Sequence, residues 1–179
     1  MTAAGDDQWV FLIDPAWDPD TPAGGEVPSP PLEAVVGGWL SAADGGIGRF
    51  HANPDYAPSE PGSPTDPVDA ALHLLARGEV DSDALFAVLR EGAFDVALGA
   101  DGSPLIAPSP DDVPSLLVAT APAQRPRVHA DDWRTGVSAA ELGDLLREHR
   151  VDLLLNPGGP ASTRLVGDVF AESLADVAE

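Results

Sequence analysis

The chain has 179 residues, which is room for one domain, or one domain with a substantial extension, and for a core that needs no staples. Its 30 Asp and Glu face 9 basic residues, all of them arginine, for a formal net charge of −21. Such a surface repels phosphate backbones and anionic lipid, which disfavours nucleic-acid and membrane-surface partners, and the absence of cysteine removes disulfides, thiolate zinc sites and cysteine nucleophiles.

Residues 1–30 lack the basic start and continuous apolar core of a signal peptide, and no apolar run is long enough to span a bilayer. A cytoplasmic location is therefore expected. "WVFLID" (9–14) reads as a strand halted at Asp14-Pro15, and the Pro-, Gly- and Asp-rich residues 16–31 read as an exposed loop. Residues 34–53 place two apolar runs on either side of Asp44-Gly45-Gly46, a hairpin signal, because a tight turn needs the positive φ that Gly and Asp tolerate. The proline-rich 53–67 then predicts an extended, exposed connector.

Composition changes near residue 66. Eleven of the nineteen prolines fall in 1–67, and residues 1–76 carry twelve acids against the single base Arg49. From Asp66 the punctuation is helical, with Pro67 at a first helical position, an Ala71, Leu72, Leu74, Leu75 stripe and a closing Gly78, which predicts a helix over 67–77. A second follows, capped by Asp81 or Ser82 and ended by Gly92. Residues 94–109 read as strand, Ala100-Asp101-Gly102 turn and strand, and the nearly all-apolar 113–121 as a central strand. Ser138 and Glu141 stand at capping-box spacing ahead of a helix over 139–149. "VDLLLN" (151–156) is a buried strand, and 167–178 a closing amphipathic helix. The expected fold class is thus α/β (α+β): a single mixed β-sheet flanked by about four helices. Residues 1–65 form a Pro/Gly-rich segment with a strand and β-hairpin, and 66–179 the α/β domain proper.

The loop after that last strand, Asn156-Pro157-Gly158-Gly159, raises the question of a phosphate cradle. Pro157 and Pro160 each delete a backbone donor and no lysine is present, so the residues instead match a stiff turn with Pro157 and Gly158 at its centre. A peptide or small anion contacting the amides of Gly158, Gly159, Ala161 and Ser162 is the competing reading. Asp14, Asp18 and Asp20 read as a solvated acidic loop rather than a calcium site, since proline interrupts the ligand spacing. His51, His73, His129 and His149 lie far apart without metal-ligand spacing, and Gly-x-Ser-x-Gly is missing. No catalytic, cofactor-binding or metal residues are assigned. Two places suggest protein contact. Arg125, Arg127, His129 and Arg134 gather around Trp133, combining the residue types that dominate interface hot spots, with a local salt-bridged loop as the alternative. In the hairpin, Val35, Val36 and Trp39 stand beside glycines that could let another backbone approach.

The marks from Asp66 onward, "DPVDAALHLLARG", "ADGSPLIAPSPDDVPSLLVATA" and "VDLLLNPGG", resemble the SseB-like (enhanced serine sensitivity) family over about 66–170. Taken with "VVGGW", "GRFHANPDYAPS", "VATAPAQRPRV" and "LLLNPGGPASTRL", nearly the whole chain resembles the actinobacterial type VII secretion system-associated proteins. That resemblance implies a noncatalytic, protein-binding accessory factor with an α/β fold, an adaptor for a secretion substrate or component; sulfur transfer is excluded by the missing cysteine. An acidic immunity-type inhibitor of a secreted toxin and an enzyme of unknown reaction are the alternatives.

Overall fold

Gln8–Ile13 (β1), Val35–Ser41 (β2) and Ile47–Ala52 (β3) pair antiparallel in that order. The structure, a computed structural model, describes residues 8–19, 28–41 and 47–174, and the chain divides into two units, Met1–Asp66 and Pro67–Glu179. The register runs Trp9↔Leu40, Val10↔Trp39 and Phe11↔Gly38 on one side of β2, and Gly38↔His51 and Trp39↔Phe50 on the other. The N-terminal strand and hairpin thus form a sheet of their own. The Asp44-Gly45-Gly46 turn lies outside the described residues, as do residues 20–27 of the acidic loop.

The connector after β3 has no helix or strand, as its prolines demand. It is not, however, an exposed tether throughout: Tyr56, Ser63, Pro64 and Thr65 are buried. Hydrogen bonding to Asp14, described below, is the physical reason at Tyr56 and Ser63.

In the second unit, Pro67–Ala76 (α1) ends where Gly78 takes φ +71°, and the Gly78 and Glu79 amides return to the Leu75 and Leu74 carbonyls. This is the paired-bond helix stop that glycine favours. Ser82–Glu91 (α2) follows, its Asp81 carboxylate accepting from the Ala84 amide. Ala93–Leu98 (β4), Ile106–Pro108 (β5) and Pro114–Ala119 (β6) come next, then a short 3-10 helix at Pro122–Arg127, Asp132–Ser138 (β7), Ala139–His149 (α3), Asp152–Leu155 (β8), Thr163–Leu165 (β9) and Gly167–Ser173 (α4). Both reciprocal bonds of the Ser138/Glu141 capping box are present.

The six strands are ordered β7-β4-β6-β8-β9, with β5 pairing to β6; only β6 and β8 run parallel, from Ser115↔Asp152 to Val118↔Leu155. Alternation explains the apolar run of β6. Leu116 and Val118 join Phe94, Leu153, Leu155 and the inner faces of all four α-helices, whereas Leu117 joins Ala97 and Leu154 beneath Leu105, Val128 and Trp133 on the opposite face. A strand covered on both faces has no polar side to show. Two strands, β7 and β9, lie in stretches to which the sequence assigns neither strand nor helix.

Candidate binding surface

The first sheet exposes what a soluble sheet normally hides. Trp9 is 45% exposed, Val10 48% and Phe11 54%, three consecutive residues that therefore open both faces of β1 to solvent. On one face Trp9 and Phe11 stack with ring centroids 6.1 Å apart, and Trp9 meets His51 edge-on at 5.5 Å. The row is possible because Gly38 lies beneath it: a β-carbon there would stand 3.0 Å from Phe11 and 3.2 Å from Trp9. On the other face Phe50 fills the space above Gly37 and tilts against Trp39 at 4.9 Å.

This corrects the expected use of the hairpin. Val35 and Val36 are buried, Trp39 is half-buried against Phe50, and the room above both glycines is taken by the protein's own rings. The exposed aromatics belong to β1 instead. A continuous apolar run reads as a strand buried on both faces, so its solvent exposure had no signature in the sequence.

Asp14, at the end of β1, is only 2% exposed. Its carboxylate accepts from Tyr56 Oη (3.0 Å), Ser59 Oγ (2.7 Å), Ser63 Oγ (2.7 Å) and the amides of Ala16 (2.9 Å) and Ser59 (3.3 Å). Burial alone would push this carboxyl up, but the bonds from Ala16, Ser59 and Ser63 outweigh it and hold it at about 2. Asp14 is therefore a structural pin and not part of a solvated acidic loop; Asp18 is exposed, and Asp20 lies outside the described residues.

The loop after β8 is a turn. Gly159 N–H donates to the Asn156 carbonyl (2.9 Å) across Pro157 and Gly158, and Gly158 has φ +72°. Asn156, fully buried with φ +48°, is locked from behind: its Oδ1 accepts from the Thr120 amide (2.9 Å), and its Nδ2 donates to Thr120 Oγ1 (2.9 Å) and Asp69 Oδ1 (3.2 Å). The side chain thus ties the ends of the parallel strands β6 and β8 to α1. Because a β-carbon on Gly158 would meet nothing nearer than 3.8 Å, Gly158→Ala is expected to lose about 1 kcal/mol from backbone conformation alone. Chemical denaturation checks this; no loss would mean that the turn relaxes without cost.

Comparison with protein-family models, curated proteins and solved structures returned no match.

The arginine–tryptophan group is largely committed inside the molecule. Arg125 grips Asp95 through Nε (2.9 Å) and Nη2 (2.7 Å), with its guanidinium 5.8 Å above the centre of the Trp133 ring. Arg127 donates to Gln124 Oε1 (2.6 Å), and Arg134 to Glu141 (3.0 Å). Trp133 is half-buried on the smaller core. The structure brings Arg125 and Trp133 together; Arg127 and Arg134 are exposed and serve other partners. An open hollow of about 380 Å³, lined by Arg147, Arg150, Val151, Asp152 and Asp168, mixes both signs of charge. Its Arg147 bonds Asp144 and the Ala171 carbonyl, and its Asp152 bonds Arg164 and the Gly167 amide. Among the described residues no group of three or more His, Asp or Glu is placed to hold a metal ion, and no helix is long and apolar enough to cross a membrane.

Proposed function

We propose that the chain is a noncatalytic, protein-binding accessory factor that serves a type VII secretion system in the cytoplasm, holding a secretion substrate or component through the β1 sheet. The solvent-facing Trp9, Val10 and Phe11 carry this reading, since aromatic side chains combine large area with few lost rotamers and dominate protein interfaces. The resemblance of the sequence to the secretion-associated proteins supplies the setting, and the pairing of Arg125 with Asp95 over the half-buried Trp133 makes that patch the weaker contact surface.

Affinity capture in the native host, with Trp9→Ser/Phe11→Ser beside the unaltered chain, tests it. The unaltered protein should retain a substrate or component of the secretion machinery, and the variant should lose it by about tenfold at an unchanged melting temperature. Retention indifferent to the variant would remove the β1 sheet from the reading. A captured toxin that is silenced on binding would replace the adaptor with an immunity-type inhibitor, for which the charge of −21 is the favouring observation.

A further inference from the structure

The two edges of the first sheet are built differently. On β3 the edge carries Gly48 and Arg49, and its pairing to β2 slips between Trp39 and Ser41. Glycine, a charge and a slip are devices that discourage another strand from pairing. On β1 the run Gln8–Leu12 has no proline, no charge and no slip in register.

Parity shows which groups β1 presents. Asn53 N–H donates to the Val36 carbonyl, so Val36 and Gly38 bond toward β3 while Gly37 and Trp39 bond toward β1. Their partners Leu12 and Val10 therefore point inward, in step with the Asp14 amide that donates to the Ala34 carbonyl. Trp9 and Phe11 turn their N–H and C=O outward. Among the described residues nothing hydrogen-bonds to that outer edge.

Charge selects the occupant. Residues 1–66 hold eleven acids and the single base Arg49, which sits on the opposite edge. Asp18, Glu33, Asp55 and Glu60 are exposed in this unit. A second copy of the chain, itself at −21, would be repelled, whereas a cationic strand would be drawn in. An incoming strand would lay alternate side chains against the Trp9/Phe11 row, where lysine or arginine finds aromatic faces, and the others beside Val10, where a β-branched residue fits.

Resting on the protein-binding reading and giving its contact a form, we propose that the outer edge of β1 accepts an extended, basic segment of a partner protein as an added strand, bonded to the backbone of Trp9 and Phe11. Affinity comes from the ladder and selectivity from charge and the aromatic row.

The test uses the full chain and a fluorescent peptide of alternating lysine and valine. The peptide should bind in an anisotropy titration, slow amide exchange at Trp9 and Phe11 by about tenfold, and weaken as salt rises. An alternating glutamate–valine peptide should not bind. Methylating alternate backbone amides of the lysine peptide leaves its charge intact and should abolish binding without touching the protein. Phe11→Pro, which removes an outward N–H, should also abolish it, while Phe11→Ser, which keeps the N–H, should only weaken it. Equal binding of the methylated peptide would reduce the interaction to bulk charge and overturn the proposal, as would no binding at all. A dimer of the chain that dissolves in Phe11→Pro would overturn the choice of occupant. Capture of a partner that depends on Trp9 and Phe11 while the lysine peptide fails would sink strand addition and leave the protein-binding reading standing.

Discussion

Replacing Asp14 with alanine should cost the N-terminal unit about 4 kcal/mol, because hydrogen bonds to a buried charge are worth about 1.5–3 kcal/mol each and the bonds from all of its donors are lost together. Those donors are Tyr56, Ser59, Ser63 and two backbone amides. Trp9, Trp17 and Trp39, three of the four tryptophans, lie in this unit, so denaturation followed by their fluorescence reads the loss. A cost below about 1 kcal/mol would show that the carboxylate does not pin the connector. Acid should act on the same group. Its folded value of about 2 lies below the 3.8 of an ordinary aspartate, so its stabilisation is fully present above pH 4, declines as pH falls and is gone below about 2. Asp14→Asn should flatten this acid limb, and an unchanged limb would assign the acid sensitivity to other carboxylates.

How much of this was legible in the sequence depended on how local the deciding physics is. The capping box of Ser138 and Glu141, the Gly78 stop and the Pro157-Gly158 turn are set by a few neighbouring residues, and all three stand in the structure as read. The nearly all-apolar β6 was readable as central for the same reason. By contrast, β7 ("DWRTGVS") is a polar edge strand with no useful alternation; it is held by its ladder to β4 and by the Gly136 N–H donating to Asp95 (3.3 Å). β9 has three residues, too few for any pattern. Asp14 looked like one acid among many because its partners Tyr56, Ser59 and Ser63 lie 42 to 49 residues away. The exposed surface of β1 was half readable: an aromatic strand could be seen at 9–13, but exposure on both faces depends on what fails to cover it.

Asn156→Ala is the second large expected effect, about 3 kcal/mol, since it removes the Thr120 and Asp69 bonds from a fully buried site and forces alanine into φ +48°. The two causes separate with Asn156→Gly. Glycine occupies positive φ without a steric penalty but makes none of the side-chain bonds, so it should recover about 1 kcal/mol of the loss and no more. Denaturant midpoints of the two variants, with tryptophan at 133 as the reporter in the second unit, give the partition. Full recovery by glycine would mean that the buried amide is incidental and that the chain reversal after β8 depends on backbone conformation alone. Near-equal losses would mean the reverse: Asn156 is required because one side chain closes the ends of both parallel strands and reaches α1, a role that glycine cannot fill.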